Sequence, residues 1–197
     1  MNKLTVETYD RAAAAYAKKF AGIGPRVRDI KEAIAAWGST APRVLELGCG
    51  DGRDAKEIIK LSSDYLGIDN SKGMISIARK QVPQAKFVVA DMATYDFSVP
   101  VDIIFAFASL LHIDKETLAL VLQRARTALS AGGIFYLSVK RGEYHGGEVV
   151  SDEYGERIFY YYQKSDIMDL AQGYEEVKTI ERIFGNTAWL DVILRKR

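Results

Sequence analysis

Short apolar runs alternate with helical stretches along most of the chain. Five of these runs are continuously apolar, which is typical of strands buried on both faces of a parallel sheet. They cover residues 44–47, 65–68, 87–90, 101–107 and 134–139. Helices fit between them, beginning near Gly52, Ser71 and Asp114. The alternation predicts a doubly wound α/β domain with a mostly parallel sheet.

The helix beginning at Asp114 carries the strongest local signal. Aspartate is a favourable N-cap, and Ile113 and Leu118 have the spacing of a hydrophobic staple. Apolar residues recur on one face through Leu129, and Gly132-Gly133 predicts the end of the helix. We expect this face to pack against the sheet.

The two ends of the chain extend this plan. Residues 1–40 predict a cover of two helices, interrupted by Gly22, Gly24 and Pro25. Near the other end, Gly185-Asn186 separates two strand-like runs and is a two-residue hairpin signal. We therefore expect the sheet to end in an antiparallel pair of strands.

Length and composition narrow the possible classes of protein. A chain of 197 residues, 48% hydrophobic and with a formal net charge of +1, is expected to form one domain over residues 1–197. The near-neutral balance gives no bulk signal for nucleic acid. Cys49 is the single cysteine, so neither an internal disulfide nor a thiol cluster for zinc is expected. The sequence lacks a signal-peptide core and a membrane-length apolar run, which favours a cytoplasmic protein without a membrane partner.

A glycine-rich turn follows the first predicted strand. It reads Gly48-Cys49-Gly50-Asp51-Gly52 and precedes a predicted helix. Glycine tolerates positive φ and lets a ligand approach the main chain closely. The carboxyl end of a parallel strand is where such sheets bind ligands. The position of this turn predicts a cofactor loop.

Two cofactor classes compete for the loop. Dinucleotide sites use Gly-x-Gly-x-x-Gly, but Arg53 stands at the third glycine position and the third glycine comes one residue early. Asp51 also puts negative charge where a pyrophosphate would lie. The loop therefore favours S-adenosylmethionine, which carries no phosphate, over NAD(P).

Acidic residues end the next two predicted strands. At Asp69 a carboxylate accepts hydrogen bonds from both ribose hydroxyls, with capping of the next helix as the alternative. Asp91 and Met92 end the third strand, where an acid accepts from an adenine amino group and a methionine covers the ring. The alternatives are a loop or cap role for Asp91 and a core position for Met92.

Together these segments resemble the class I S-adenosylmethionine-dependent methyltransferases, especially small bacterial-type members. Residues 46–52 are similar to the first motif of the family, and residues 67–71 and 90–92 are similar to its next two motifs. Residues 129–134 are similar to the segment that leads into its fifth strand. The resemblance covers about residues 43–195. It implies a seven-stranded sheet whose last strand is antiparallel.

The resemblance also implies roles for single residues. Gly48 and Gly50 would line the methionine moiety, and Glu46 would orient the loop or a water beside the cofactor amine. Tyr16 lies in a segment similar to a helix that folds over the cofactor, where it contacts the carboxylate or faces the sulfonium; the alternative is a core tyrosine. The expected cofactor site comprises Tyr16, Glu46, Gly48, Cys49, Gly50, Asp69, Asn70, Asp91, Met92 and Phe107.

His112 and Tyr160 are the candidate catalytic residues. Methyl transfer is an in-line displacement that needs a base only when the acceptor must lose a proton. His112 follows the fourth strand and is interpreted as that base, with packing as the alternative. Tyr160 belongs to the glycine-bearing segment 140–163, expected to be an inserted lid or substrate loop with an aromatic wall. The alternative is an added strand with one buried face.

Several methyltransferase subclasses are disfavoured. The Asp/Asn-Pro-Pro-aromatic motif of enzymes that methylate DNA amines does not follow the fourth strand. Cys49 is committed to the glycine loop, so no nucleophile for cytosine C5 is available. The sequence therefore predicts a methyltransferase for a small-molecule acceptor, a monomer or homodimer acting without metal or nucleic acid. The alternatives are a Rossmann-type NAD(P)-dependent reductase and a non-catalytic module that binds an adenosyl cofactor.

Overall fold

The computed structural model describes residues 2–62 and 64–197. Its helices are α1 Lys3–Phe20, α2 Val27–Trp37, α3 Ala55–Ile58, α4 Lys72–Gln81, α5 Lys115–Ala128 and α6 Lys164–Leu170, with a 3₁₀ turn at Leu110–His112. Its strands are β1 Arg43–Leu47, β2 Asp64–Asp69, β3 Lys86–Val89, β4 Val101–Phe107, β5 Leu129–Lys140, β6 Glu148–Asp152, β7 Gly155–Phe159, β8 Tyr174–Phe184 and β9 Thr187–Lys196.

Within the described residues, seven strands form the main sheet in the order β3-β2-β1-β4-β5-β9-β8. Strands β1 to β5 pair in parallel, and β9 pairs antiparallel with both β5 and β8. The hairpin turn falls at Gly185-Asn186, between β8 and β9. The predicted α/β sheet and its antiparallel end are confirmed.

The sheet is covered on both faces. Every residue of β4 is buried, and its side chains alternate between two apolar cores. Ile103 and Phe105 join the core beneath α2 and α4, whereas Ile104 and Ala106 join the core that includes the buried face of α5. Continuous burial of β4 explains why its sequence is apolar without alternation.

Two helix boundaries differ from those predicted. The helix after the glycine loop begins at Ala55 and has a single turn, because Gly52 adopts a positive φ of 79° that no α-helix accommodates. Helix α5 begins at Asp114 as predicted, with its side chain accepting from the Thr117 N–H at 2.8 Å. It ends at Ala128 rather than at Gly132-Gly133, since Leu129 is already extended and starts β5.

A second, smaller sheet lies against helix α1. Strands β6 and β7 form a separate antiparallel hairpin within the segment 140–163. That hairpin is tied to α1, because Thr5 Oγ1 accepts from the Ile158 N–H at 3.0 Å and Thr8 Oγ1 donates to the Glu156 carbonyl at 2.7 Å. Among the described helices, none combines the length and the apolar character needed to cross a membrane.

Candidate functional site

The carboxyl ends of β1, β2 and β4 border a cavity of about 630 Å³. Helix α1 and the segment leading into α2 contribute to its walls. Of the residues predicted from sequence, the structure brings together at this cavity Tyr16, Glu46, Gly48, Cys49, Gly50, Asp69, Asn70, Met92, Phe107 and His112. Asp91 and Tyr160 are not among its lining residues.

The glycine loop lies hard against the end of β4. Gly48 and Gly50 adopt positive φ values of 73° and 56°. A Cβ on Gly48 would lie 2.3 Å from the Ser109 Cβ, which is far inside van der Waals contact. Ser109 in turn donates from Oγ to the Leu47 carbonyl at 2.6 Å, joining the ends of β1 and β4. Only a residue without a side chain fits at position 48.

Asp69 connects the end of β2 to the glycine loop. Its Oδ2 accepts from the Gly50 N–H at 3.0 Å, and its Oδ1 accepts from the Ser71 N–H at 2.8 Å. Burial raises the pKa of the Asp69 carboxyl above its ordinary value. The cap of α4 is Ser71, whose Oγ accepts from the Met74 N–H at 3.1 Å. Asp69 therefore does not cap α4, and it borders the cavity.

Asp91 does not line the cavity but holds a residue that does. Its Oδ2 accepts from the Asn70 side-chain amide at 2.9 Å, and its Oδ1 accepts from the Ala93 N–H at 2.9 Å. Asn70 and the buried Met92 line the cavity themselves. Asp91 thus orients Asn70, and the surface offered to a ligand here consists of an amide and a thioether.

Glu46 is a buried acid beneath the glycine loop. The Tyr65 hydroxyl donates to its Oε2 at 2.5 Å. Burial, and then the nearby charge of Asp54, raises the pKa of Glu46 to about 8. Burial also raises the pKa of the Cys49 thiol well above its ordinary value, so the thiol stays protonated at neutral pH. Neither residue presents a permanent charge to the cavity.

Two arginines converge on one acid at the loop. Arg26 Nη1 lies 2.5 Å from Asp54 Oδ2, and Arg53 Nη2 lies 3.2 Å from the same oxygen. Arg53 Nε is buried and has no hydrogen-bond partner among the described residues, although Arg53 lines the cavity. A buried unpaired donor is costly, so this N–H is suited to an acceptor group on a ligand.

Helix α1 forms part of the cavity wall through contacts that sequence reasoning missed. Asp10 Oδ1 accepts from Ser71 Oγ at 2.6 Å and from the Gly73 N–H at 2.9 Å, which anchors α1 on the start of α4. Tyr9 and Tyr16 of the same helix line the cavity, with ring centroids 5.3 Å apart. The sequence signal for this anchor was Asp10, which directly follows Tyr9 in the tyrosine-bearing segment of α1.

His112 is buried and has a partner on each ring nitrogen. Nδ1 lies 2.7 Å from the Ile158 carbonyl oxygen, which can only accept, so Nδ1 carries the proton. Nε2 then accepts from the Tyr9 hydroxyl at 2.9 Å. Burial lowers the pKa of His112 to about 3. The ring is therefore neutral and positions Tyr9 rather than offering a free nitrogen to an acceptor.

The segment 140–163, all of which the structure describes, contributes no residue to the lining of the cavity. The Tyr160 ring stacks on Tyr144 at a centroid distance of 6.1 Å, and its N–H donates to the Leu111 carbonyl. The catalytic role predicted for Tyr160 finds no support in this placement. The hairpin packs on α1 and also on the 3₁₀ turn at Leu110–His112, where the Ile158 carbonyl contacts His112.

A second charged group lines the cavity and had no signal in the sequence. Arg182 of β8 donates from Nη2 to Asp29 Oδ1 of α2 at 2.7 Å. Its Nε lies 2.5 Å from Asp191 Oδ2 of β9. All three residues border the cavity, although more than 150 residues separate Asp29 from its partners in the sequence. Only the folding of the sheet brings them together.

Comparisons with known proteins bear on this site. Residues 44–133 match the model of a family described as a methyltransferase domain. Trans-aconitate 2-methyltransferase of Acidovorax ebreus is 36% identical over 112 residues, which cover 55% of this chain and 43% of that protein. The enzyme of the same name from Methylobacterium nodulans is 34% identical over 111 residues, covering 55% and 42%. The match therefore spans less than half of each relative.

Solved structures extend the likeness to the whole fold. An S-adenosylmethionine-dependent methyltransferase from Clostridium acetobutylicum superimposes with a TM-score of 0.76 at 14% identity, covering 95% of this chain and 98% of that one. A Burkholderia thailandensis N1-methyltransferase, solved with 1,6-didemethyltoxoflavin and S-adenosylhomocysteine, gives 0.74 at 17% identity, covering 97% and 87%. The match to the methyltransferase-domain model is confined to residues 44–133, and the order of the seven-stranded sheet agrees with the fold of these solved structures.

The contact between Gly48 and Ser109 predicts that one added methyl group at position 48 strongly lowers the stability of the fold. Gly48→Ala should lower the free energy of unfolding by about 2 kcal/mol more than Gly38→Ala. Gly38 is the matched control because its φ is also positive, at 80°, but a Cβ there meets nothing within 4 Å. Urea denaturation of both variants measures the difference, and equal losses would show that position 48 is not sterically closed.

Burial of neutral His112 predicts a pH-dependent stability. The unfolded chain takes up a proton at this ring near pH 6.5, whereas the folded chain does so only near pH 3. The stabilisation is therefore complete above pH 6.5 and is lost as the pH falls towards 3. Between pH 6.5 and 5, wild type should lose about 1 kcal/mol per pH unit more than His112→Gln.

Denaturant melts across this pH range provide the measurement. His145→Gln is the control, because His145 is the other histidine in the chain and is exposed. It should keep the wild-type slope. A His112→Gln variant with the same slope as wild type would show that His112 is already protonated in the folded state.

Proposed function

We propose that this protein transfers a methyl group from S-adenosylmethionine to a small-molecule acceptor. The observation that carries the proposal is the junction of Asp69 with the glycine loop at the cavity. The Gly50 N–H holds one carboxylate oxygen of Asp69, which orients the group beside a loop with no side chain at position 48. A carboxylate in this place suits the two hydroxyls of a ribose.

The other lining residues fit the remaining parts of this cofactor. Met92 and Asn70 offer a polarisable surface and an amide to the adenine. The unpaired Arg53 Nε–H suits the carboxylate of the methionine moiety. Glu46, buried beneath the loop, lines the cavity where the amino group would lie. A cavity of about 630 Å³ is within the size range of small-molecule sites.

The chain's own residues contribute by positioning and by excluding water. When bound, the cofactor supplies an electrophilic methyl group on a sulfonium. Helix α1, anchored through Asp10, holds Tyr9 and Tyr16 at the cavity, and this cover limits the access of water to the reacting atoms. Phe107 and Ala108 at the end of β4 border the same space and restrict how an acceptor approaches.

Two observations weigh against a nicotinamide cofactor. Helix α3 is a single turn, so it offers no extended helix N-terminus to a pyrophosphate. Asp51, which lines the cavity at this loop, would repel phosphate charge. A non-catalytic binding module would keep the same cofactor contacts, and turnover of the methyl donor distinguishes that alternative.

The curated relatives are named for methylation of trans-aconitate, which supports a metabolite-sized acceptor for this chain. We propose a cytoplasmic enzyme, a monomer or homodimer, that works without nucleic acid or a membrane. The near-neutral net charge supports this proposal, as does the single, buried cysteine.

Calorimetry with S-adenosylhomocysteine tests the cofactor assignment. We expect Asp69→Asn to weaken binding about tenfold or more, because a carboxylate that accepts from two hydroxyls is replaced by a group that accepts less strongly. Asp64→Asn is the matched control, since Asp64 begins the strand that Asp69 ends and is exposed.

Three results would contradict the proposed function or its assignment of Asp69. One is binding of NADPH without binding of S-adenosylhomocysteine. Another is equal affinity of Asp69→Asn and wild type. The third, observed with the intact protein, is cofactor binding without methyl transfer to any member of a metabolite pool, which would favour a binding module.

A further inference from the structure

The cavity has a second polar end, far from the ribose-facing carboxylate. In the sheet order, β2 and β9 are separated by β1, β4 and β5. Four strand spacings of about 4.8 Å place the end of β2 roughly 19 Å from β9. Asp69 lies on β2 and Asp191 lies on β9, and both line the same cavity. One cavity thus has room for a cofactor at one end and an acceptor at the other.

The polar group at this second end carries an excess of negative charge. Asp29 and Asp191 are 5% and 4% exposed, and Arg182 is the single cation between them. Arg28 also borders the cavity, and it shares Glu32 with Lys178, at 3.1 and 3.2 Å from the same oxygen. Within the triad of Asp29, Arg182 and Asp191, two buried carboxylates against one guanidinium leave about one unit of negative charge.

Asp191 has one buried oxygen whose partner is a guanidinium. Ser138 and Arg182 both act on this carboxylate, and Arg182 Nε lies 2.5 Å from Oδ2 as an ion pair. By geometry, Oδ2 accepts no aligned hydrogen bond among the described residues. A buried carboxylate oxygen in this state is suited to an N–H donor on a ligand.

The walls around this oxygen are largely aromatic. Trp189 stands opposite Arg182 in the β8–β9 pair, and Phe184 ends β8 at the cavity. Phe107 borders the space from β4. Phe184 is 66% exposed, so an apolar body lying against it would remove aromatic surface from water. The site therefore combines an anionic floor with apolar walls.

We propose that the Asp29–Arg182–Asp191 group is the acceptor subsite and that it selects a primary amine on an apolar body rather than a carboxylate. This proposal rests on the proposed methyltransferase function and names its acceptor class. The nitrogen donates an N–H to Asp191 Oδ2, which accepts no aligned hydrogen bond from the described residues, Asp29 supplies the second negative charge, and Arg182 holds the two acids in place.

The group transfer balances with this acceptor. The ammonium first gives one proton to Asp191, whose pKa is raised by burial. The nitrogen lone pair then forms a bond to the methyl carbon, and the carbon–sulfur bond of the donor breaks with its electron pair staying on sulfur. The products are a methylated ammonium and S-adenosylhomocysteine, and the proton leaves Asp191 for solvent.

Isosteric pairs of ligands test the charge preference. The protein saturated with S-adenosylhomocysteine is titrated by calorimetry with butylamine, benzylamine and 2-phenylethylamine. Pentanoate, phenylacetate and 3-phenylpropanoate are the carboxylates of matching length, and trans-aconitate is added as a polycarboxylate. We expect at least one amine to bind about tenfold or more tightly than its carboxylate partner.

Variants separate recognition from support of the fold. Asp191→Asn and, independently, Asp29→Asn should weaken amine binding about tenfold while leaving the affinity for S-adenosylhomocysteine unchanged. Glu181→Gln is the control, because Glu181 precedes Arg182 on β8, pairs with Arg141 and does not line the cavity. A purely structural triad would instead lower the melting temperature without changing the preference for amines.

Three outcomes would overturn the inference. The first is that carboxylates or trans-aconitate bind as tightly as the amines, and the second is that no amine binds. The third is that both aspartate variants bind amines with wild-type affinity. Failure of S-adenosylhomocysteine to bind wild type would instead overturn the proposed function. The two proposals are thus distinguished by the same titrations.

Discussion

The close contact between the glycine loop and the end of β4 is the constraint on which the cavity depends. Gly48 approaches Ser109 so closely that a single Cβ would fall at 2.3 Å. This contact lets the loop turn at the centre of the sheet, where the Gly50 N–H reaches Asp69 on the neighbouring strand. Without that approach the loop would stand away from β4, and the floor of the cavity would be lost.

Electrostatics divide the cavity into parts with different chemistry. The part of the cavity at the end of β2 has the oriented carboxylate of Asp69, whereas the part at β8 and β9 holds the triad of Asp29, Arg182 and Asp191. Between them, His112 is neutral because both of its nitrogens are used by the protein. A methyl transfer in which positive charge disappears from sulfur needs no strong charge at the centre. The placement of charge away from the centre is consistent with that requirement.

Sequence reasoning succeeded where a signal is local. The strand runs, the N-cap at Asp114 and the turn at Gly185-Asn186 depend on neighbours in the chain, and the structure confirms them. It was less successful for the segment 140–163, whose aromatic residues suggested a cavity wall. Phe159 packs instead against His112, and Tyr160 and Tyr162 pack against Tyr144. The same aromatic pattern in the sequence is compatible with either arrangement. The structure accordingly places Tyr160 beside Tyr144, away from the cavity.

The sequence by itself determined the class of fold and the glycine loop with its acid at Asp69. A strand buried on both faces has a continuous apolar run, and a loop that a ligand approaches closely has glycines. Both features can therefore be recognised from the local sequence. The tertiary structure alone decided the neutral state of His112, the anchor at Asp10 and the meeting of Asp29 with Arg182 and Asp191. Those properties arise from burial and from contacts between distant strands and helices, which no local pattern encodes.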